Sequence, residues 1–165
     1  MSLLIERMRP VDWDEVREIY LEGIAGGQAT FETEAPSWEN WDANHLGVAR
    51  LLARDDGKLI GWAALSPVSS RRVYAGVAET SVYVSLERRG TGVGRLLLDR
   101  LISESEQNGI WTLQAVMFPE NAASVALHRA AGFREVGRRE RISKLNGSWR
   151  DTILLERRSR LIGID

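Results

Sequence analysis

Cysteine is absent from all 165 residues of the chain, which excludes disulfides, thiolate zinc sites and a cysteine nucleophile. Histidine is nearly as scarce, with His45 and His128 alone, and no metal site is expected. An excess of one charge is missing too. The 22 basic and 23 acidic residues leave a net charge of −1, which argues against a general nucleic-acid binder. No apolar run approaches the ~20 residues that cross a bilayer. The N-terminus lacks the charged, apolar and cleavage regions of a signal peptide, so a cytoplasmic location is the expectation. No repeat, low-complexity tract or linker divides the chain, and residues 1–165 read as one domain. A domain of that length buries roughly 70% of its unfolded surface and stands without staples.

What is present is a succession of well-punctuated elements. Leu3–Ile5 reads as a short strand stopped by Pro10. Asp12 then reads as the N-cap of a helix, with Glu15 in capping-box register and Val16, Ile19, Tyr20 and Ile24 at helical spacing before Gly26-Gly27. Ser37 is a second N-cap, ahead of Trp38, Trp41 and Leu46. The period then changes to that of strands over Val48–Arg54 and Leu59–Leu65, joined by the hairpin chemistry of Asp55-Asp56-Gly57-Lys58. A polar loop, Ser66–Arg72, precedes a strand beginning at Val77.

The clearest helix follows a glycine-dense loop: Val93, Leu97, Leu98, Leu101 and Ile102 share an apolar face, and Asn108-Gly109 stops it. It is ~25 Å long, enough to cover a sheet. A strand over Trp111–Met117 comes next, then a short helix capped by Asn121 and closed by Gly132. Two final strands, Phe133–Leu145 and Trp149–Leu155, flank Asn146-Gly147. Strands and helices so ordered make a mixed α/β sheet.

The stretch from Thr80 to Leu98 is the one the chain is built around. A β-branched strand, a glycine loop and a helix N-terminus together hold phosphate through backbone N–H groups. Two familiar loops of that kind lack their defining residues here. Val93-Gly94-Arg95 is not the Gly-Lys-Ser/Thr of a P-loop. A dinucleotide fingerprint read from Gly90 has Arg95 where glycine or alanine belongs. The pattern that fits is Arg89-x-x-Gly92-x-Gly94 between strand and helix, with Asn121-x-x-Ser124-x-x-Leu127-His128-x-x-x-Gly132-Phe133 one helix and one strand later.

Together these resemble the two signatures of the GNAT superfamily of acyl-CoA-dependent N-acyltransferases. Thr30-Phe31, Gly61-Trp62, Ala78–Val84, Leu127-His128 and Asn146–Asp151 resemble its phosphinothricin and methionine sulfoximine acetyltransferase-like branch over nearly the whole chain. The resemblance implies the GNAT fold, a mixed and mostly antiparallel sheet of about seven strands flanked by about four helices. It further implies a homodimer, acetyl-CoA as donor, and the α-amine of a small amino acid or analogue as acceptor. Val82, Tyr83 and Val84 would offer backbone to the pantetheine arm. Arg89, Gly90, Thr91, Gly92, Val93, Gly94 and Arg95 would hold the pyrophosphate, and Asn121 and Ser124 would lie near the thiol end. The glycines let backbone approach an anion closely, and the helix N-terminus adds free N–H groups and partial positive charge.

Transfer to an amine needs a neutral nitrogen, a stabilised oxyanion and a proton for the departing thiolate. An amine of pKa ~9–10 is mostly charged at pH 7, a deficit of about 3–4 kcal/mol. A nearby carboxylate offsets it, and Glu79, at the position of the family's base, is the candidate. Backbone N–H groups near Val82–Val84 would meet the oxyanion. His128, where many relatives carry tyrosine, would return a proton to the thiolate, directly or through solvent. Phe31, Glu32 and Trp62 would line the acceptor pocket, and Arg72 with Tyr74 would grip a substrate carboxylate. Two rival readings stand beside this one. One acetylates a protein N-terminus or another amine; the other is a non-catalytic acyl-CoA-binding regulatory domain. The loop Ser69–Gly76 and the Thr30-Phe31-Glu32 region both depart from the best-known members, so the acceptor is not specified.

Overall fold

Every residue from Leu59 to Leu65 is buried, and the reason is alternation. Successive side chains of a strand point to opposite faces, and a bulge at Ile60, opposite Ala53 and Arg54, shifts that alternation by one residue. Leu59, Trp62 and Ala64 enter one hydrophobic cluster while Ile60, Ala63 and Leu65 enter another. The strand must therefore be covered on both sides. In the computed structural model, which describes residues 2–165, that is its position.

The chain runs β1 (Leu3–Arg7), α1 (Trp13–Gly26), α2 (Trp38–Asn44), β2 (Leu51–Asp55), β3 (Lys58–Pro67), β4 (Val77–Val84), α3 (Val93–Gln107), β5 (Thr112–Met117), α4 (Ala122–Ala130), β6 (Arg134–Leu145) and β7 (Ser148–Arg158). Seven strands form one sheet in the order β1-β2-β3-β4-β5-β7-β6. Among the described residues only β4 and β5 pair in parallel. Val16, Ile19 and Tyr20 of α1 and Trp41 of α2 pack with Leu52, Leu59 and Trp62 on one face. On the other, Leu97, Leu98, Leu101 and Ile102 of α3 pack with Ala63, Leu65, Ala78, Leu113 and Leu155. No helix among the described residues is long and apolar enough to cross a membrane.

Most element ends are those expected, and the exceptions have tertiary causes. Asp12 does not cap α1. Its carboxylate accepts the backbone N–H of Arg9 at 2.8 Å and the guanidinium of Arg54, reaching in from β2, at 2.9 Å. Burial raises its pKa, but the Arg9 and Arg54 contacts outweigh that and hold it below the usual carboxylate value. Glu15 is likewise drawn to Arg54 rather than back to the cap. Ser37 does cap α2, accepting the N–H of Asn40. That helix stops at Asn44, before Leu46, because Arg50 donates to the carbonyls of Asp42, His45 and Leu46. Ala49 takes a left-handed φ of 57°, so the strand begins at Leu51 and not at Val48.

One irregularity positions everything that follows. The β4–β5 ladder consists of three pairs, Val77 with Thr112, Ala78 with Leu113, and Glu79 with Gln114. Beyond them the strands part. Residues 80–84 of β4 remain paired to β3 only, while Ala115–Met117 of β5 pair with β7. The sheet is therefore open from Thr80 onward, with backbone groups of one β4 edge facing the gap.

Candidate active site

A groove of about 450 Å³ lies over the far end of this opening. Its floor is the stretch from Val82 through Gly94 and Arg95, and its walls are α1 and α4. Gly90 and Gly92 take φ of 74° and 91°, conformations that a side chain strains. Gly94 is held close to its neighbours, since a Cβ there would lie 3.3 Å from Leu127. The first amide of α3 to find a helical acceptor is that of Leu96, which donates to Gly92, so the N–H groups ahead of it are free for an anion. Arg89 points into the groove with a single contact, to the Val84 carbonyl, whereas Arg88 is tied to Asp55 at 2.6 Å. The donor set and the apolar wall fit a phosphate-bearing ligand with a long neutral arm.

The groove opens into a cleft of about 640 Å³, with Val82, Tyr83, Asn121 and Ser124 lining both. Glu79, Thr80 and His128 line the cleft with Phe31, Glu32 and Phe118. Glu79 ends the part of β4 that pairs with β5, and its Oε1 accepts the amide of Gln114, its partner across the ladder, at 2.8 Å. His128 stands in the last turn of α4. Its Nδ1 lies 2.8 Å from the Ser124 carbonyl, which can only accept, so Nδ1 carries the proton and Nε2 presents a lone pair 3.4 Å from the Thr80 hydroxyl. Burial pushes the pKa of His128 below its ordinary value, so the ring is neutral at pH 7.

Tyr83 separates groove from cleft, stacked on Trp62 with ring centroids 4.7 Å apart. Burial, then the neighbouring Tyr20, raises its pKa strongly and keeps the phenol protonated. Room for its ring comes from Gly23 of α1, where a Cβ would lie 2.7 Å from the Tyr83 ring.

The structure gathers most of the expected residues and leaves four aside. Val82, Tyr83, Val84, Arg89, Gly90, Gly92, Gly94, Arg95, Asn121 and Ser124 line the groove. Thr91 and Val93 do not. Thr91 turns its hydroxyl to the Arg88 carbonyl, and Val93 is buried in the core under α3. Phe31, Glu32 and Trp62 line the cleft. Arg72 and Tyr74, expected to grip a carboxylate, sit instead on an exposed helical turn outside it, where Arg71 stacks over the Tyr74 ring. Three contributors escaped the sequence reading. Gln114 was legible as a polar residue on the phase of β5 opposite the core-facing Leu113, Ala115 and Met117. Asn44 and His45 were not, because their approach to the cleft depends on the Arg50 contacts that end α2.

Fold and site together define an enzyme that transfers an acyl group from a phosphate-bearing carrier. The chain belongs to the acetyltransferase (GNAT) family, whose model matches residues 13–133. It is 34% identical to the phosphinothricin N-acetyltransferase of Alcaligenes faecalis over 157 residues, 91% of this chain and 79% of that one. It is 31% identical to an L-methionine sulfoximine/L-methionine sulfone acetyltransferase of Pseudomonas aeruginosa, over 81% of this chain and 73% of that one. Among solved structures, a phosphinothricin acetyltransferase from Sinorhizobium meliloti in complex with AcCoA superposes with a TM-score of 0.86. It is 31% identical, and the match covers 96% of this chain and 89% of that one.

Proposed function

We propose that the chain transfers the acetyl group of acetyl-CoA to the amine of a small amino-acid-like acceptor by direct attack, with Glu79 as base. The carrying observation is continuity: a groove floored by a helix N-terminus opens, along an unpaired strand edge, into the cleft that holds Glu79 and His128. The acceptors named for the relatives support the amino-acid-like class.

Arg89, Arg95 and the amides from Gly90 through Gly94 hold the pyrophosphate, Thr91 and Val93 contributing backbone only. Val82, Tyr83 and Val84 offer backbone to the pantetheine arm, with Asn121 and Ser124 toward the thiol end. When bound, acetyl-CoA supplies the thioester carbonyl that the amine attacks. Glu79 takes one ammonium proton, directly or through water, and passes it to solvent. The neutral nitrogen forms the C–N bond as the C–S bond breaks, with amides of Val82–Val84 meeting the oxyanion. One of the two protons left on nitrogen goes to the lone pair on Nε2 of His128 and from there to the thiolate, and the other stays on the product amide. This keeps the donor role expected for His128 and has it enter the reaction as an acceptor.

Thiol release from acetyl-CoA, measured with amino acids, phosphinothricin and methionine sulfone or sulfoximine, tests the reading. Stabilisation by CoA with no release on any acceptor supports the binding module instead. Glu79→Gln should keep CoA affinity and slow turnover about 10²-fold or more at neutral pH. Unchanged turnover removes Glu79 as base. In the same reading the chain forms a homodimer, supported by Val136, Ile142 and Trp149 exposed on the β6–β7 hairpin. A monomer in sedimentation equilibrium would exclude it.

A further inference from the structure

Resting on the reading of Glu79 as base, we infer that Gln114 is the positioning residue of that base. Its side-chain amide holds one carboxylate oxygen of Glu79 and leaves the other free for the acceptor amine. Gln114 Nε2 lies 2.8 Å from Glu79 Oε1. An ionised carboxylate only accepts, so the amide nitrogen is the atom that faces it. Among the described residues this is the one hydrogen bond made to the Glu79 carboxylate. Glu79 lines the cleft and Gln114 does not. Gln114 therefore acts through Glu79 and not on the acceptor.

The two residues form the last rung of the β4–β5 ladder, so the sheet fixes both backbones up to the point where the strands part. Alternation along β4 decides what each face does from there. Ala78, Val82 and Val84 pack on the α3 side and Tyr83 on the α1 side, which Glu79 shares by its odd place in the strand. Thr80 turns the other way, its hydroxyl 3.4 Å from Nε2 of His128 and 3.4 Å from the Gln114 carbonyl. Glu79 and His128 thus reach the gap from opposite faces of one strand, and Gln114 borders both. A glutamate carboxylate spreads over several rotamers unless it is held, and a misplacement of about 1 Å at a reacting group costs on the order of 10²-fold in rate. The hold comes from β5, across the line where the sheet divides. A charge-assisted bond from an amide supplies it without adding a second charge to the site.

The test is thiol release from acetyl-CoA, read with whichever of the amino acids, phosphinothricin and methionine sulfone is acetylated fastest. Gln114→Met keeps the length of the side chain and removes the donor. It should lower kcat and kcat/KM for the acceptor together by about tenfold. Its CoA Kd should match wild type; a weakened one makes the contact structural and overturns the proposal. The deciding measurement is the double variant. Glu79→Gln with Gln114→Met should turn over no more slowly than Glu79→Gln alone, because a residue that acts through the base has nothing to act on once the base is gone. A wild-type rate in Gln114→Met, or a further loss of about tenfold in the double variant, overturns the proposal and leaves Glu79 as base. A wild-type rate in Glu79→Gln overturns both.

Discussion

Nδ1 of His128 gives its proton to the Ser124 carbonyl, and burial keeps Nε2 from taking another at neutral pH. The rate should therefore hold from pH 8 down past the ordinary imidazole value of 6.5 and fall only below it. A His128→Asn chain should lose about 10²-fold in kcat along with that acid limb; a profile identical to wild type would take His128 out of the reaction. The same shift has a consequence for stability. His45 and His128 both titrate below 6.5 in the fold, His45 through burial and then the nearby Arg50. Above pH 6.5 both are neutral folded or unfolded and contribute nothing. As pH falls from there toward the depressed folded values, the unfolded chain binds more protons and stability drops. Urea midpoints at pH 7.5 and 5.5 should differ, and His45→Phe, which keeps a ring against Trp41, should shrink the difference. The lowered carboxyls of Asp12, Asp55 and Asp151 keep their stabilisation until the pH falls below the usual carboxylate value, so they stay out of that window.

Helix α1 carries a glycine in its interior, where alanine favours the helix by about 1 kcal/mol. Gly23 is there because Tyr83 needs the space. Gly23→Ala should lose about 1–2 kcal/mol of stability through overpacking. It should also weaken CoA binding, because the displaced ring borders the groove; calorimetry on the folded variant reads the second effect apart from the first. Gly92→Ala acts differently, since space around it is open and only its φ of 91° resists a side chain. Its strain of about 1–2 kcal/mol falls on the start of α3 and should weaken CoA about tenfold. Wild-type affinity would overturn the loop assignment. These elements were legible because their signals are local: α3 from its apolar period, α2 from Ser37, the β6–β7 turn from Asn146-Gly147. What misled were residues claimed by distant partners. Asp12 reads as a cap until Arg54 arrives from 42 residues away, and Val48–Arg50 read as strand until Arg50 folds back on α2. Arg72 reads as a carboxylate ligand because a guanidinium suits a bidentate grip, and no local pattern says which way an exposed turn faces.

Counted across the whole molecule, the sheet is two rafts. β1 to β4 carry α1 and α2; β5, β7 and β6 make the other; three residue pairs lash them together, with α3 and α4 packed against one face. The fracture line is the same gap over which the groove lies. A CoA molecule lying along β4, as proposed, would touch Val82–Val84 on one raft and, through Asn121, Ser124 and Leu127, the α4 bank that leads into the other. So placed, it would work as a splint across a joint. Amide exchange at residues 80–84 and along α4 should therefore slow together on CoA binding, far more than in β1 or β6. Fast exchange at the joint, unchanged by saturating CoA, would mean that the ligand does not bridge it.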